Sequence, residues 1–586
     1  AACCSMAMAE GCAAEFTFSL FAVVMLGLLG SWLLSMTVIP MLCVYFLKPL
    51  KKDTFIGQCL TRLADPYEQL LRFVLRWPLA YPLLILLLTL IAGWGFKFIP
   101  NIFFPPNERG QFIVDFELPL GKTVIETEKQ IKRLETWLLE EHKDEVKSVS
   151  SWIGNGGPRW YLSLSPESAN PNYGMLNVLT TREDPAFVAA LIKTVNDHGR
   201  SAFPDARVSA KALENGPPVG DPIQIRLSGE DMGTLYRLRD LVTAEIKDIQ
   251  GCSDVRDDWG AWTKQVSIKP DPVRSARLGL NTSSIASAVA LQYSGTVASV
   301  YHEGEDAIPI VLRARENFRN HLDRIGDIPV FGAEGGAVPL RQAANINVEF
   351  QPGSVMRRDT LRTMTIKAQV RGRFASEVLA ELKPRLTALT ESSDWPKNDY
   401  EIEYAGQVAE SAEAQGEMAA GMPIPMAILS LILIAQFNSL RRFAIIVITL
   451  PPMLIGVVPG LLLTGSSFGF MTMLGMIALL GIIVNNAILL IDETNLQLNS
   501  GKELIGAVVD AARSRLRPIL MTTATTIIGL LPLAISGGGM WTSMAWAMIF
   551  GLAFATVLTL LLCPALFALF FSRSERKRAE ASAKPA

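Results

Sequence analysis

Apolar runs that are long enough to cross a membrane constrain this chain more than any other feature. A transmembrane helix needs about 20 consecutive apolar residues. Two such runs come first, a polar region of about 320 residues follows, and five more runs complete the chain. The runs cover residues 16–47, 79–98, 420–438, 443–464, 470–491, 518–536 and 543–571. The sequence therefore predicts a membrane-embedded α-helical bundle of about seven transmembrane helices, with one large polar insertion.

Basic residues between these runs predict the orientation of the bundle. If the spans alternate, all four basic clusters lie on one side, which the positive-inside rule makes cytoplasmic. The clusters are Lys48 to Arg76, Arg441 with Arg442, Arg513 to Arg517, and Arg573 to Arg578. The polar region 99–415 is then periplasmic or external. The amphipathic, basic segment 54–77 suits either a helix on the inner membrane surface or an ordinary helical connector.

The polar region alternates short strand patterns with helical ones. Strand patterns at 111–119, 146–154, 173–181 and 206–214 and helical patterns at 123–143 and 185–199 give the order β-α-β-β-α-β, which is a ferredoxin-like pattern. A second set is interrupted: 222–229, 231–249 and 252–259 precede an insert, and 363–372, 375–390 and 400–406 follow it. The fold class is therefore a membrane α-helical bundle with α+β ferredoxin-like subdomains, one of them split.

These patterns divide the chain into six parts. Residues 1–98 hold the end of one transmembrane helix, two transmembrane helices and the surface helix. Residues 99–213 form one α+β subdomain, residues 214–261 with 351–406 form the second, and residues 262–350 form an insert. Residues 416–572 form five transmembrane helices, and residues 573–586 form a basic cytoplasmic tail.

Composition excludes several classes of function. Half of the residues are hydrophobic and 19% are charged, which is too apolar for an ordinary soluble protein. The net charge of −2 gives no indication of nucleic-acid binding. The seven cysteines and four histidines lack metal-ligand spacing, and no phosphate-binding loop or nucleophile–base set is present. We therefore expect no enzyme activity, no metal site and no bound cofactor.

The start of the chain does not resemble a signal peptide. It begins AACCSMAMAEG, without Met and without a basic segment before a short apolar core. We expect that the chain is a fragment whose first residues continue an apolar segment from upstream.

Two adjacent amides interrupt the apolar segment GIIVNNAILLIDE at 481–493. Asn485 and Asn486 would lie at membrane depth, where polar groups are costly and commonly functional. Asp492 is seven residues after Asn485, almost two helical turns, so both share one helix face. We expect Asp492 to lie near the cytoplasmic interface. Asn485 and Asn486 then mark either a functional face or ordinary hydrogen bonds between helices.

A glycine-rich loop with aromatic residues, WIGNGGPRWYLSL, covers 152–164. Gly154, Gly156 and Gly157 allow backbone conformations that other residues avoid, and Trp152, Trp160 and Tyr161 flank them. The pattern suits either a mobile apolar contact surface for a ligand or a glycine turn with ordinary core aromatics.

These features together resemble a known family. Two helices, a periplasmic insertion of ferredoxin-like pieces and five helices resemble the C-terminal half of a resistance-nodulation-division (RND) efflux transporter. Three runs carry the resemblance, and the multidrug branch fits them best: FFPPNERGQF at 103–112, GIIVNNAILLIDE at 481–493 and RSRLRPILMTTATTIIGLLPLAIS at 513–536.

The resemblance implies a function and an assembly. It implies proton-driven efflux of drugs or other amphiphilic xenobiotics by a homotrimer in the bacterial inner membrane. A periplasmic adaptor protein and an outer-membrane channel would complete the pump, and the proton gradient would supply the energy. Residues 99–213 and the split subdomain would be porter subdomains, and 262–350 the docking subdomain. The glycine-rich loop would separate two drug pockets, which makes Trp152, Gly156, Gly157, Trp160 and Tyr161 candidate substrate-binding residues.

The resemblance also implies a proton relay, from which this chain departs. Thr522 matches the relay Thr, Arg515 matches a basic residue associated with proton conduction, and Asn486 matches the family's Asn. Asn485 occupies the position of the relay Lys. Because an amide carries no charge, proton movement would depend on the protonation of carboxylates alone. The resemblance implies that these carboxylates are the two relay Asp of the family, which would lie upstream of residue 1.

Three alternatives remain open. A heavy-metal exporter of the same superfamily would need methionine pairs in the periplasmic cleft, whereas Met175, Met232, Met356 and Met364 are widely spaced. A receptor-like or export-subunit relative would show no drug-linked phenotype. A half-transporter would be inactive alone, because the other half of the pseudo-repeat would carry the paired Asp.

Overall fold

The computed structural model describes residues 12–46, 55–105, 107–161, 163–319, 321–332, 335–396 and 399–582. The predicted tail from 573 keeps a described helical backbone only as far as residue 582, and its side chains lie outside the described part of the chain. The chain forms two compact units. One contains the residues up to Asp257 and those from Arg357, and the other contains Asp258–Met356.

The membrane part of the first unit consists of helices, most of them apolar. Before the polar region these are α1 (Cys12–Phe46), α2 (Phe55–Arg76) and α3 (Ala80–Gly95), which a 3₁₀ turn Phe96–Phe98 extends. After it, the larger set is α12 (Gln407–Gly421), α13 (Pro423–Phe437), α14 (Leu440–Ile448), α15 (Leu454–Thr464), α16 (Phe470–Asn499), α17 (Leu504–Ser536) and α18 (Gly538–Ser582), with a 3₁₀ turn Pro451–Met453. Among the described residues, seven helical stretches are long and apolar enough to cross a membrane.

Small residues let the helices of this bundle pack closely. A Cβ atom on Gly456 would lie 2.4 Å from the Phe550 carbonyl oxygen, and one on Gly460 would lie 2.5 Å from the Phe550 side chain. A Cβ atom on Gly551 would likewise lie 2.4 Å from Leu479. Because lipid is as apolar as these side chains, close packing of small residues contributes much of the attraction between membrane helices. The glycines therefore fix α15, α16 and α18 against one another.

The first α+β subdomain has the predicted element order. Its elements are β1 (Gln111–Glu117), α4 (Val124–Glu141), β2 (Val146–Ile153), β3 (Tyr173–Thr180), α5 (Pro185–Ala202) and β4 (Arg207–Ala212). The antiparallel sheet has the order β2-β3-β1-β4. Since side chains alternate along a strand, Phe112, Val114 and Phe116 face the helices in one apolar cluster, while Ile113 and Asp115 face the other side of the sheet.

The second subdomain is split, as its two sets of patterns predict. Its elements are β5 (Ile223–Gly229), α6 (Met232–Asp248) and β6 (Cys252–Asp257), followed by β13 (Arg357–Arg358), β14 (Leu361–Val370), α11 (Ala375–Glu391) and β15 (Glu401–Gly406). The strands form one sheet of order β13-β14-β5-β15, and β6 pairs with β14. Strands from both sides of the insert therefore complete one sheet.

The second unit is the insert, and it is slightly larger than the predicted range 262–350, since it covers Asp258–Met356. Its elements are β7 (Trp262–Pro270), α7 (Pro272–Arg277), α8 (Thr282–Tyr293), β8 (Thr296–Glu303), β9 (Asp306–Leu312), α9 (Glu316–Arg319), a 3₁₀ turn Leu322–Asp327, β10 (Pro329–Phe331), β11 (Ala337–Pro339), α10 (Leu340–Ala343) and β12 (Ala344–Pro352). Antiparallel pairing of β7 with β12 brings the two ends of the insert together.

Backbone hydrogen bonds join the membrane helices to the base of the first subdomain. The Ile102 amide donates to the Phe468 carbonyl at 2.9 Å, and the Phe470 amide donates to the Phe103 carbonyl at 3.2 Å. The Gly539 amide, at the start of α18, donates to the Glu108 carboxylate at 2.7 Å. The segment after α3 is therefore fixed to the N-terminal ends of α16 and α18.

Candidate functional sites in the polar region and the helical bundle

The glycine-rich loop after β2 depends on its glycines. Gly157 has a φ of +71°, and a Cβ atom there would lie 2.7 Å from the Trp152 ring. Gly156 leaves no room for a side chain, since its Cβ would lie 2.4 Å from the Glu167 amide nitrogen. The Asn155 side chain accepts a hydrogen bond from the Gly157 amide at 2.8 Å. The loop is thus a specific turn that holds the backbone against Trp152.

The three aromatic residues of the loop lie together on one face of the first sheet. Trp152, Trp160 and Tyr161 pack against a cluster of buried side chains, which are Ile113, Leu164, Tyr173, Met175 and Leu213. The Trp160 and Tyr161 ring centroids are 4.7 Å apart. The Trp160 Nε1 atom is buried and has no hydrogen-bond partner among the described residues. The five candidate substrate-binding residues are therefore neighbours, and their role in binding stays a prediction.

An ion pair that sequence patterns did not reveal lies on the same face. The Lys211 ammonium is 2.8 Å from the Asp115 carboxylate, which also accepts a hydrogen bond from the Tyr173 hydroxyl at 2.7 Å. Burial raises the pKa of Asp115, but Lys211 and Tyr173 outweigh burial, so the pKa lies below its usual value. Burial lowers the pKa of Lys211, and Asp115 more than offsets it. Both groups are therefore charged at neutral pH.

A chain of arginine–carboxylate contacts continues from this pair to the second sheet. Arg207 on β4 contacts Asp254 on β6 at 3.0 Å and Glu117 on β1 at 3.1 Å. Arg256 then contacts Asp254 at 2.9 Å and Asp221 at 2.7 Å. Hydrogen bonds between an arginine and a carboxylate require a specific relative orientation of the two side chains. The two subdomains are therefore joined by charged side chains at the face that carries the aromatic loop.

The two subdomains also enclose a cavity of about 620 Å³. Its wall is formed by the segment after α3, by α5 and β4, and by the loop between β14 and α11. Its lining contains the apolar side chains Ile102, Phe103, Phe104, Ile192, Val219, Val370 and Phe374 and the charged side chains Lys193, Lys211, Glu214, Arg371 and Arg373. A volume of this size fits a drug-sized molecule.

The structure separates the candidate relay residues into two groups. Asn486 is buried, whereas Asn485 and Thr522 are exposed among the described residues. The Thr522 hydroxyl donates to the Ile519 carbonyl of its own helix at 3.0 Å. Arg515 lies 2.7 Å from Glu493 on α16. Among the described residues the Thr522 hydroxyl is thus bonded within its own helix and not to Asn485, and the role of both residues in proton movement stays a prediction.

Two polar contacts in the bundle were missed by the sequence analysis. The Thr523 and Thr556 hydroxyls are 3.0 Å apart and buried between α17 and α18. Glu493 lies seven residues after Asn486 and therefore on the same face of α16, and it accepts a hydrogen bond from Gln497 at 2.9 Å. The sequence contained the information needed to find Glu493. It lies seven residues after Asn486, which is the same spacing that placed Asp492 on the helix face of Asn485.

Comparisons with known proteins cover nearly the whole chain. The sequence profile described as the AcrB/AcrD/AcrF family matches residues 2–571. The cobalt-zinc-cadmium resistance protein CzcA of Cupriavidus metallidurans is 24% identical over 94% of this chain and 52% of the relative. The toluene efflux pump membrane transporter TtgB of Pseudomonas putida is 25% identical over 97% of this chain and 54% of the relative.

A further relative and a crystal structure are also similar to this chain. The nickel and cobalt resistance protein CnrA of Cupriavidus metallidurans is 25% identical over 95% of this chain and 52% of the relative. The crystal structure of a heavy metal efflux pump is similar in fold, with a TM-score of 0.73 and 24% identity over 97% of this chain and 57% of that chain. The chain spans about half the length of the curated relatives it matches.

Proposed function

Because the chain belongs to the AcrB/AcrD/AcrF family of RND permeases, we propose that it forms part of an efflux permease of the inner membrane. The family is a transporter family and not an enzyme family, and the seven long apolar stretches agree with a multi-pass membrane protein. In this proposal the polar region between α3 and α12 is periplasmic. The complete protein would act as a homotrimer with an adaptor protein and an outer-membrane channel.

Heavy-metal cations are the first candidate substrate. The match to CzcA and CnrA over at least 94% of this chain is the observation that carries it. These relatives favour the metal-exporter alternative over the multidrug branch that the motifs indicated. The residues themselves add no support, since the described part of the chain contains no group of three or more His, Cys, Asp or Glu that could hold a metal ion.

Amphiphilic organic molecules are the second candidate substrate. The similarity to TtgB is of the same order as that to CzcA. The specific observation in its favour is the cavity, whose lining includes Phe103, Phe104 and Phe374 and a single carboxylate, Glu214. A soft or borderline metal cation needs thiolate, thioether, imidazole or carboxylate ligands, and this lining offers Glu214 alone.

We also propose that a proton gradient drives transport. A proton that crosses the membrane potential yields about 2.3 kcal/mol per 100 mV, which shifts a two-state equilibrium by more than tenfold. With Asn485 at the position of the relay Lys, the side chains of Asn485, Asn486 and Thr522 supply hydrogen bonds rather than a buried cation. Arg515, which is paired with Glu493 at 2.7 Å, is then the basic residue of the proposed proton path.

Growth inhibition distinguishes the two substrate classes. The complete protein, with its adaptor and channel, is expressed in a Gram-negative strain that lacks its own efflux pumps. Inhibitory concentrations are compared with those of the empty vector for cobalt, zinc, cadmium, nickel, copper and silver salts, and for detergents and dyes. Resistance to the salts alone supports the first candidate, and resistance to detergents and dyes supports the second. No change with any compound would contradict an efflux function.

A further inference from the structure

Two adjacent arginines lie at the corner where the bundle passes from α13 to α14. The helix α13 ends at Phe437 and α14 begins at Leu440, so Arg441 and Arg442, which we call the corner arginines, belong to the first turn of α14. In the described part of the chain Arg441 is exposed and Arg442 is half-buried. In the orientation that the basic clusters predict, this corner lies at the inner surface of the membrane.

Other basic residues on the same predicted side of the bundle have carboxylate partners. Arg72 contacts Glu68 at 3.0 Å, and Arg515 contacts Glu493 at 2.7 Å. The corner arginines differ from them, because no carboxylate of the described ranges lies within ion-pair distance of either one. Two neighbouring guanidinium groups without an anion between them repel each other. An anion that binds at this corner would therefore gain from both charges.

Contacts within the protein hold the two guanidinium groups at one aromatic ring. The guanidinium carbons of both corner arginines lie 5.9 Å from the centroid of the Phe571 ring on α18, which stacks on Phe567 at 4.5 Å. Arg442 Nη1 also donates a hydrogen bond to the Phe437 carbonyl at 3.0 Å. Since a guanidinium has five N–H donors, these contacts position the pair and leave donors for a further acceptor.

One of the remaining donors is buried and unsatisfied. The Arg442 Nε atom is buried and has no hydrogen-bond partner among the described residues, and such a donor calls for an acceptor. The backbone adds to the positive potential, because the N-cap residue Ser439 makes no side-chain hydrogen bond to the first turn of α14 and a helix N-terminus carries a partial positive charge. The corner therefore suits an anion with several acceptor oxygens.

The surface of α13 that leads to this corner is apolar. Ile428, Leu431 and Ile432 on α13 are exposed, as is Leu440 at the corner itself. In a helix that crosses the membrane, exposed apolar side chains of this kind suit contact with lipid acyl chains. The corner thus places cationic donors at the end of an apolar helix surface, which is the complement of a lipid with a negatively charged headgroup.

We propose that the corner arginines bind the phosphodiester group of an anionic phospholipid, with Arg441 and the Arg442 Nε atom as donors and with the acyl chains along α13. The site goes beyond the proposed efflux function and rests on it only for the place of this corner at the inner membrane surface. Basic pockets between helices on the cytoplasmic side attract anionic headgroups, and the guanidinium fork matches phosphate oxygens. A soluble phosphate ester offers the same oxygens without the acyl chains.

Thermal unfolding of the purified complete protein in detergent measures this binding without any transport step. Dioctanoyl phosphatidylglycerol is titrated, and the rise of the unfolding midpoint gives its dissociation constant. Dioctanoyl phosphatidylcholine has the same chains and a zwitterionic headgroup, so it controls for changes in the micelle. We expect phosphatidylglycerol to bind about tenfold more tightly than phosphatidylcholine. Equal dissociation constants for the two lipids would overturn the proposal.

Variants locate the site. Arg441→Gln and Arg442→Gln are each expected to weaken binding of phosphatidylglycerol about tenfold and to leave phosphatidylcholine unchanged. Because both lipids are measured on each variant, a change in the stability of the free protein cancels. The matched control is Arg72→Gln, because Arg72 is exposed on the same predicted side and already has Glu68 as its partner. Unchanged affinity in both corner variants, or an equal loss in Arg72→Gln, would contradict the site.

A final arm separates the two sources of the phosphate group. Glycerol 3-phosphate replaces the lipid at the concentration that saturates the shift with phosphatidylglycerol. No shift with this soluble ester supports the lipid, whereas an equal shift would assign the corner to a free phosphate ester and overturn the lipid assignment. Since binding is read without growth or transport, a protein that exports nothing can still pass this test, and an active exporter can still fail it.

Discussion

At the scale of single residues, Asp115 is a buried charge on β1, between the apolar residues Val114 and Phe116. Its side chain is 10% exposed and that of Lys211 is 32% exposed. Removal of one partner of a buried pair leaves the other charge without compensation, which costs about 3–5 kcal/mol. Lys211 retains access to the cavity, so the low end of that range applies.

Asp115→Asn is therefore expected to reduce the free energy of unfolding by about 3 kcal/mol. The measurement is the thermal unfolding midpoint of the purified complete protein, compared between variants. Asp240→Asn is the matched control, because Asp240 belongs to an exposed pair with Arg239, and such pairs contribute about 0–1 kcal/mol. The double variant Asp115→Asn with Lys211→Met should recover most of the loss. Equal midpoints for Asp115→Asn and Asp240→Asn would contradict the assignment.

The contribution of the Asp115–Lys211 pair to the stability of the fold depends on pH. The pKa of Asp115 is lowered in the folded protein, so its contribution is present above the unfolded value of about 3.9 and is lost as the pH falls through the folded value. The pKa of Lys211 is raised, so its contribution is present below about 10.4 and is lost as the pH rises through the folded value. Between these limits the pair stabilises the fold uniformly.

Sequence patterns predicted some site residues and could not predict others. Trp152, Gly157 and Trp160 were predicted as candidate binding residues because glycine and aromatic residues in one loop form a local signal, and their role in binding stays a prediction. Asp115 and Lys211 were missed because they are 96 positions apart in the chain and meet only through the register of β1 with β4, in which Asp115 lies opposite Ser209. Non-local pairing of this kind has no signature in a single sequence.

At the scale of secondary-structure elements, the glycine-rich loop is the most constrained segment. Gly157→Ala would place a methyl group against the Trp152 ring at a φ of +71°. We expect a loss of about 1–3 kcal/mol in the free energy of unfolding from strain at this φ and from displacement of the indole. Thermal unfolding of the complete protein measures the loss.

Gly121→Ala is the matched control for this loop variant. Gly121 also has a positive φ, of +93°, but a Cβ atom there meets no other atom within 4 Å. The difference between the two variants therefore isolates the contact with Trp152. A Gly121→Ala variant that is as unstable as Gly157→Ala would show that backbone strain alone accounts for the effect.

Two arginines about three turns inside α17 contact two different helices. Arg513 contacts Glu68 and Asp65 on α2 at 2.5 Å and 3.0 Å, whereas Arg515 contacts Glu493 on α16 at 2.7 Å. These contacts lie before Pro518, which interrupts the hydrogen bonding of α17. Within the predicted segment 54–77, the helix α2 (Phe55–Arg76) is thus tied to the bundle, and its position on the membrane surface remains a prediction.

Strands and helices of the polar region were predicted well because their hydrophobic periods are 2 and 3.6. The predicted helix 123–143 corresponds to Val124–Glu141, where the Thr123 side chain accepts a hydrogen bond from the Glu126 amide. The predicted insert 262–350 starts with β7 but ends two residues before the end of β12, because Trp262 on β7 pairs with Pro352 on β12. Ends of elements are set by pairing and caps rather than by the pattern.

At the scale of the whole molecule, two polar residues lie on exposed surfaces of long apolar helices. Asn485 and Thr522 lie on exposed surfaces of α16 and α17 in the described part of the chain, and polar groups on the lipid face of a membrane helix are costly. The curated relatives are about twice as long as this chain. A role of Asn485 and Thr522 in proton movement therefore stays part of the proposed function.

Proton-coupled transport by the complete protein tests the central claim most directly. The protein is reconstituted in liposomes that enclose a pH-sensitive dye, and proton movement is followed on addition of a compound to which it confers resistance. Liposomes that contain residues 1–586 alone are the control, and we expect no response from them. The account predicts substrate-dependent proton movement that stops when a protonophore removes the gradient. Substrate transport at the same rate with and without a proton gradient would contradict it.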